Sequence, residues 1–179
     1  SLRFGDGMLI TPTGMGAELT PQDLPFVAWG GTTRGRWKPS SEWHFHEAVY
    51  KARPDANCAM HTHTRAGAGA AMLRHGLRPI SQDAMIVYDD IVYHEYGMPA
   101  TQEECDALGV SIQAGSCVVL RNHGLLTLGA TVHGTLMNIY MLERACELEV
   151  LAAGFNEPPV LIDPEVVKRL GVGLKKARA

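Results

Sequence analysis

Apolar runs and turn signals near the start of the chain predict two β-hairpins. In residues 1–11, two short apolar runs flank Gly5-Asp6-Gly7, which is a strong turn signal. In residues 26–37, a second pair of runs surrounds Gly30-Gly31. Residues 11–14 combine Thr, Pro and Gly and are typical of a loop.

Four later segments have the end signals or the spacing of helices. A helix starts around Lys38-Pro39-Ser40-Ser41-Glu42, with a serine cap and an acid in its first turn, and stops before Pro54. A second helix, rich in Ala and Gly, covers residues 64–75. The sequence Thr101-Gln102-Glu103-Glu104 has the form of a capping box that opens a third. A long amphipathic helix runs from about residue 131 to residue 153 and stops at Gly154.

Three apolar segments, residues 57–63, 116–121 and 125–128, are predicted to be strands. Because strands alternate with helices but hairpins are also present, an α/β fold with a mixed or antiparallel sheet is expected rather than a doubly wound parallel one. The pattern predicts a single domain over residues 1–179, with a Pro-rich tail around residues 157–159. Since the chain begins directly in a strand, we expect part of that domain to precede Ser1.

Composition and charge favour a small-molecule partner. The chain is 46% hydrophobic and 20% charged, close to globular averages. Its net charge of −3 and its lack of a Lys/Arg cluster argue against binding to nucleic acid or to an anionic membrane. No apolar run approaches the roughly 20 residues that span a bilayer. The four cysteines are scattered without a C-x-x-C pair, so reduced core thiols in a cytoplasmic protein are expected.

Two histidines separated by one residue give the sharpest local signal. His61-Thr62-His63 follows an apolar run, and residues two apart on a strand project to the same face, so both imidazoles can reach one metal ion. His123 lies in an Asn-His-Gly turn between two apolar strands, where it can be placed against the first pair. Three imidazoles with an open fourth position are typical of a catalytic zinc site. The alternatives are histidines at a polar strand end and a hydrogen-bonded turn histidine.

Glu42 is the candidate acid, because it stands at a helix start beside Ser40 and Ser41. The alternative for this residue is ordinary helix capping. The same helix start provides backbone N–H groups and serine hydroxyls that suit an anion. Thr13-Gly14 is a second, much weaker signal of the same kind.

Three segments in order resemble the class II aldolase and adducin family. They are Lys38-Pro39-Ser40-Ser41-Glu42, the Ala-Arg-Pro-Asp before His61-Thr62-His63-Thr64, and Leu120-Arg121-Asn122-His123-Gly124-Leu125. The resemblance covers residues 1 to about 153. It implies a three-layer α/β/α fold with a largely antiparallel central sheet. It also implies a homo-oligomer, usually a cyclic tetramer, with active sites between subunits.

The resemblance also implies roles for individual residues. His61, His63 and His123 match the ligands of a divalent metal, with Zn²⁺ expected first and Mn²⁺, Fe²⁺ or Co²⁺ as alternatives. Glu42 matches the acid/base residue of fuculose-phosphate-type aldolases, where pentulose-phosphate epimerases carry an aspartate. The residues that match the substrate-phosphate loops are Thr13, Gly14, Ser40 and Ser41.

Tyr93 roughly matches a tyrosine that the family lends to the neighbouring subunit's site. Two features depart from the fuculose-phosphate pattern. The family's Gly-Asn-x-Ser motif would fall before Ser1, so that only its last serine is visible. Residues 79–85 and 142–146 are more similar to the adducin-related bacterial branch, whose substrates vary.

The sequence therefore predicts a metal-dependent aldolase-type lyase. Its substrate would be a small hydroxy-ketone, with or without a phosphate, cleaved at a C–C bond through an enediolate that the metal stabilises. Decarboxylation, epimerisation or dehydration on the same scaffold are the enzymatic alternatives. A non-catalytic adducin-like binding module is the other class of function, although such a module would not need a complete histidine triad together with Glu42.

Overall fold

The computed structural model describes residues 1–16, 18–98 and 100–170, so residues 17, 99 and 171–179 of the predicted domain lie outside the described part. The chain divides into two compact units, each assembled from separate stretches of sequence. The first unit comprises Ser1–Met60, Gly97–Gln113 and Leu128–Thr135. The second comprises His61–Tyr96, Ala114–Thr127 and the residues from Leu136 onwards.

The first unit contains an antiparallel group of strands. These are β1 (Leu2–Phe4), β2 (Gly7–Leu9), β3 (Phe26–Ala28), β4 (Thr33–Arg34) and the first part of β5 (Cys58–Thr62). Their order is β4-β3-β2-β1-β5, and every pairing in it is antiparallel. The β1–β2 and β3–β4 pairs confirm both predicted hairpins.

Two helices of the first unit pack against each other. Helix α1 (Trp43–Ala52) buries Phe45, Ala48 and Val49, as its apolar spacing predicts. It ends two residues before Pro54, since the residue that precedes a proline disfavours helical backbone. A later helix covers Gln102–Ser111, and the hydroxyl of Thr101 accepts a hydrogen bond from the N–H of Glu104. This cap confirms the predicted helix start.

The second unit combines parallel and antiparallel strands. Strand β6 (Ile91–His94) runs parallel to β7 (Cys117–Leu120), and β7 is antiparallel to β8 (Gly124–Gly129). All four residues of β7 are buried, so this strand lies in the core of the unit. The mixed pairings, together with the intervening helices, agree with the predicted α/β class.

The second unit holds α2 (Arg65–Ala71) and α3 (Gln82–Val87), whereas α4 is the Gln102–Ser111 helix of the first unit. Helix α5 covers Val132–Ala153, and its residues from Leu136 onwards belong to the second unit. Residues 164–170 are also helical. The bounds of α5 agree with the predicted long helix. None of the helices in the described residues combines the length and apolar character that a membrane crossing requires.

Helix α2 is shorter than the predicted helix over residues 64–75. After Ala71 the chain no longer makes α-helical hydrogen bonds: Leu73 donates its N–H to the carbonyl of Ala70, three residues back, instead of four. The carbonyl of Ala71 accepts from the N–H of Asn122, and the guanidinium of Arg121 donates to the carbonyl of Leu73. Hydrogen bonds from the β7–β8 turn therefore take the carbonyls that a longer helix would use.

Candidate metal centre

Three imidazole rings converge in the second unit. One ring nitrogen from each of His61, His63 and His123 lies within 4.8 Å of the others. The Nε2 atoms of His61 and His63 are 2.8 Å apart. The three ring centroids are separated by 4.6 to 4.9 Å, and the ring planes are inclined to one another by 74 to 79°. Each pair of rings is therefore close to perpendicular.

His61 is fixed in orientation by the backbone of β8. Its Nδ1 lies 2.8 Å from the carbonyl oxygen of Leu125. Because a carbonyl can only accept, Nδ1 carries the proton, and the lone pair of the neutral ring is on Nε2. Burial lowers the pKa of His61 to about 4, the Leu125 hydrogen bond opposes that shift, and the neighbouring imidazoles of His123 and His63 lower it further. The ring is therefore neutral at pH 7.

His63 follows the last residue of β5, and the next residue anchors the chain. The hydroxyl of Thr64 caps α2 by accepting from the N–H of Gly67, at 3.2 Å. The same hydroxyl donates to the carboxylate of Glu143 on α5. The side chain of His63 is exposed. Its backbone is nevertheless fixed, because strand β5 ends at Thr62 and the cap of α2 is Thr64.

His123 lies in the tight turn between β7 and β8. Asn122 has a φ of +57°, which small polar residues adopt more readily than most, and the N–H of His123 bonds to the carbonyl of Leu120. The turn lies against the end of β5 because Gly124 has no side chain. A Cβ atom at Gly124 would lie 2.3 Å from the carbonyl oxygen of Thr62.

The donor set suits a divalent metal of the zinc type. Imidazole nitrogens are common ligands of zinc, and three of them leave a position open, as in catalytic sites. A ligating histidine typically donates its other ring N–H to a carbonyl or a carboxylate, which is what His61 does toward Leu125. His61, His63 and His123 are therefore the residues that would hold the ion.

The four predicted phosphate-loop residues lie together in the first unit. Residues 11–13 run antiparallel to residues 38–40: Thr13 donates its N–H to Lys38, Ser40 donates to Thr11, and Pro12 pairs with Pro39. Gly14 has a φ of +74°, which only glycine adopts without strain. Thr13, Gly14 and Ser41 are exposed, so their polar groups are accessible to a ligand.

The predicted serine cap of α1 is wrong. Glu42 is itself the cap residue, at φ −82° and ψ 7°, and α1 has no acid in its first turn. The hydroxyl of Ser40 accepts from the N–H of Glu42 at 3.2 Å, which shapes the turn before the helix rather than capping it. Because the Glu42 side chain makes no capping hydrogen bond, its carboxylate is not used to satisfy the first turn of α1.

Tyr93 is engaged within the second unit. Its hydroxyl accepts from the N–H of Leu77 at 2.7 Å, and the guanidinium of Arg121 lies 4.3 Å from the centre of its ring. Burial raises the pKa of Tyr93. The ring of Tyr96, in contrast, is 60% exposed and has its centroid 6.4 Å from that of His123. Sequence reasoning missed Tyr96 as a neighbour of the imidazoles, since the residues after β6 carry no helical or strand periodicity.

Residues 1–150 match the family described as Class II Aldolase and Adducin N-terminal domain. A 5-methylthioribulose-1-phosphate/5-deoxyribulose-1-phosphate aldolase of Escherichia coli is 31% identical over 172 residues, covering 93% of this chain and 79% of that protein. Mouse alpha-adducin is 41% identical over 124 residues, which cover 66% of this chain. The predicted family resemblance is confirmed.

The fold is also that of a solved relative. An aldolase II superfamily protein from Pseudomonas syringae superposes with a TM-score of 0.87 at 30% identity, over 95% of this chain and 70% of that one. This likeness confirms the predicted fold class. The chain spans 17% of the length of alpha-adducin, and 42% of that of a class 2 aldolase-family protein from Pseudomonas aeruginosa.

Proposed function

Because the chain belongs to the class II aldolase and adducin family, we propose that it is a divalent-metal-dependent lyase that cleaves a C–C bond of a small hydroxy-ketone. The observation that carries the proposal is the convergence of three imidazole nitrogens, of which those of His61 and His63 are 2.8 Å apart. Relatives that share this family include a sugar-phosphate aldolase, so a phosphorylated ketose is the first substrate class to test.

Each histidine contributes in its own way to holding the metal. His61 offers Nε2 while its other nitrogen stays bound to the backbone of Leu125, which fixes the ring. His63 and His123 complete the set from the end of a strand and from a turn. Zn²⁺ is the expected ion, with Mn²⁺, Fe²⁺ or Co²⁺ as alternatives. When bound, the ion supplies a Lewis acid for the negative charge that develops on the substrate's oxygens.

Glu42 carries the proton in the proposed reaction. When the C–C bond breaks, the hydroxyl whose carbon becomes the aldehyde releases its proton, and the enediolate of the ketone fragment takes up a proton at carbon, so the net reaction moves one proton from oxygen to carbon. The Glu42 carboxylate suits this role because it is partly buried and caps nothing. Thr13, Gly14, Ser40 and Ser41 bind the substrate's phosphate or another anionic end through N–H and hydroxyl groups.

The active assembly is proposed to be a cytoplasmic homotetramer. The support is the family resemblance, in which sites lie at subunit boundaries and a tyrosine matched by Tyr93 reaches the neighbouring site. Light scattering that gives a tetramer at micromolar concentration is the expected result. A monomer would remove Tyr93 from the proposed site.

The competing function is a non-catalytic binding module, and one observation favours it. Over 124 residues the chain is 41% identical to mouse alpha-adducin, against 31% over 172 residues for the aldolase compared above. The lyase requires a bound metal ion, whereas the binding module does not, because a protein-binding surface needs no ordered triad of imidazoles. Metal bound by the purified protein therefore supports the lyase, and a metal-free protein supports the binding module.

The test of the lyase is turnover by matched variants. The metal-loaded protein is assayed against phosphorylated and free ketoses and hydroxy-acids, following release of aldehyde or carbon dioxide. Carbon dioxide instead of aldehyde would identify a decarboxylase on the same scaffold. In Glu42→Gln we expect metal content to be unchanged and turnover to fall by about 10² to 10⁴-fold, because an amide cannot carry the proton. His61→Ala should lose both metal and activity.

A helix-capping role for Glu42 predicts a different result. Replacing an acid by an amide at a helix start weakens only a dipole interaction worth about 0.3 to 1 kcal/mol. Wild-type turnover in a Glu42→Gln protein that holds its metal would therefore reject Glu42 as the proton carrier.

A further inference from the structure

One hydrogen bond joins the middle of α5 to the segment that carries the candidate ligand His63. The hydroxyl of Thr64, the residue after His63, donates to the Oε2 atom of Glu143. All three residues belong to the second unit, and the side chains of Thr64 and Glu143 are both partly buried. We call this hydrogen bond the Thr64–Glu143 link.

The hydroxyl of Thr64 makes two hydrogen bonds, because it also caps α2. It accepts from the N–H of Gly67 at 3.2 Å, and its single proton goes to Glu143. A hydroxyl that is held both at its proton and at a lone pair has one orientation. The backbone of Thr64 is therefore fixed between the first turn of α2 and a carboxylate of α5, and His63 is the residue next to it.

The first turn of α2 also lies against the strand that orients His61. A Cβ atom at Gly67 would lie 2.8 Å from the Cδ1 atom of Leu125 on β8. The carbonyl of the same Leu125 accepts from Nδ1 of His61. A shift of the start of α2 would therefore disturb the residue that holds His61 as well as the segment that carries His63.

The ring of His63 depends on its backbone for its position more than the ring of His61 does. Within the described residues, the ring of His61 bonds to a backbone carbonyl, whereas the ring of His63 bonds only to Nε2 of His61, at 2.8 Å. A metal-binding histidine is typically oriented by a carbonyl or a carboxylate at its other ring nitrogen. For His63 the orientation comes instead from the chain on either side of it, and the Thr64–Glu143 link fixes one of those sides.

We propose that Glu143 is a positioning residue of the candidate metal centre, which holds the backbone of His63 in place through the hydroxyl of Thr64. This inference rests on the proposed function, because it assigns Glu143 a role toward a metal ligand. Helix α5 gives Glu143 a rigid base, since the side chains of Leu142 and Cys146 beside it are 0% exposed. In this role Glu143 contacts neither the ion nor the substrate.

A purely structural role for the Thr64–Glu143 link predicts that it raises the stability of the fold and leaves metal affinity unchanged. Three variants separate the two roles. Glu143→Met removes the acceptor but keeps a long, unbranched side chain that favours a helix. Thr64→Val removes the hydroxyl at nearly constant shape, and Thr64→Ser keeps the hydroxyl.

Two matched controls lie outside the link. Glu147→Met is the same substitution one turn further along α5, at an exposed residue that pairs with Arg144. Thr101→Val removes a cap of the same kind from α4 in the first unit, where the hydroxyl of Thr101 accepts from the N–H of Glu104 at 3.2 Å. Since no candidate metal ligand is next to Thr101, this variant shows what the loss of a cap alone does.

Three measurements are made on each protein: urea unfolding without metal, the Zn²⁺ dissociation constant from competition with a chelating dye, and the absorption spectrum of bound Co²⁺, which depends on the arrangement of the ligands. We expect Zn²⁺ affinity to fall about 10 to 100-fold in Glu143→Met and in Thr64→Val, with altered Co²⁺ spectra. Thr64→Ser should keep the wild-type affinity and spectrum. The double variant Thr64→Val/Glu143→Met should bind no more weakly than Thr64→Val, because both substitutions break the same link.

The controls should bind Zn²⁺ as the wild type does, and Thr101→Val should lose stability only. Wild-type affinity and an unchanged Co²⁺ spectrum in Glu143→Met would overturn the inference without affecting the proposed metal centre. An equal loss of affinity in Thr101→Val would also overturn it, since the effect would then come from stability in general.

The two Thr64 variants decide the question if Glu143→Met does not fold. A lower Zn²⁺ affinity for Thr64→Val than for Thr64→Ser supports the inference, and equal affinities overturn it. A wild-type chain that binds no ion would overturn both the inference and the proposed metal centre.

Discussion

The carbonyl oxygen of Thr62 lies only 2.3 Å from the position that a Cβ atom on Gly124 would occupy. Thr62 separates two of the candidate metal ligands, and Gly124 follows the third. The missing side chain at Gly124 therefore lets the β7–β8 turn reach the end of β5, and the convergence of the three imidazoles depends on that contact.

The first prediction follows directly from this contact. Gly124→Ala should destabilise the protein by about 1 to 3 kcal/mol, because a backbone carbonyl cannot move aside as a flexible side chain can. It should also weaken metal binding, since the turn and the strand must separate. Urea unfolding and metal titration measure the two effects. Gly109→Ala, inside α4, is the control: its Cβ would meet only the Cβ of Ala52 at 3.4 Å, so stability should be unchanged or raised. Equal unfolding free energies and equal metal affinities for Gly124→Ala and Gly109→Ala would contradict this account of the turn.

The second prediction concerns the backbone of Asn122. Its φ is +57°, in the left-handed region. For most residues with a Cβ atom, that conformation raises the free energy of the folded state by about 1 to 2 kcal/mol. Asn122→Gly should therefore keep both stability and metal affinity, whereas Asn122→Ala should lose about 1 kcal/mol of unfolding free energy. The two variants remove the same side-chain amide, so a difference between them isolates the backbone effect. If both lose the same free energy, the side chain of Asn122 matters and its φ does not.

The third prediction concerns a fully buried carboxylate outside the candidate site. Glu149 on α5 is 0% exposed and accepts from the backbone N–H and the Nε of Arg78, at 2.9 and 2.7 Å. Arg78→Met should lower the free energy of unfolding by about 2 to 4 kcal/mol, because it removes the guanidinium that pairs with the buried carboxylate of Glu149. The double variant Arg78→Met/Glu149→Gln should be more stable than Arg78→Met alone, which thermal unfolding can measure. A double variant no more stable than the single one would show that this pair is not coupled.

The sequence predicts local structure well where one residue type dictates it. The turn at Gly5-Asp6, the Thr101 cap and the stop before Pro54 depend on neighbours in sequence, and each is found where expected. Strand β6 and the short α3 were not predicted. A strand of four residues such as β6 carries too little periodicity, and its place beside β7 is a parallel pairing between segments far apart in sequence.

Within the candidate site, too, the sequence predicts local geometry but not contacts between segments that are far apart in sequence. The His-x-His spacing on a strand indicates a shared face from local geometry alone. The approach of His123 depends on Gly124 and on the carbonyl of Thr62, which no local pattern specifies. The serines beside Glu42 predicted a serine cap for α1. The hydroxyl of Ser40 instead accepts a hydrogen bond within the turn before the helix. The helix start is shifted by one residue, so Glu42 is the cap residue.

The most direct test of the central claim is the number of divalent ions bound by each histidine variant. Equilibrium dialysis against Zn²⁺, with metal measured by atomic emission, should give one ion per wild-type chain. His61→Ala, His63→Ala and His123→Ala should each lose tight binding. His75→Ala is the control, because this partly exposed histidine of the same unit lies beside Glu149 and should not affect the bound ion. A wild-type chain that binds no ion, or a His123→Ala chain that keeps one as tightly as wild type, would contradict the proposed metal centre.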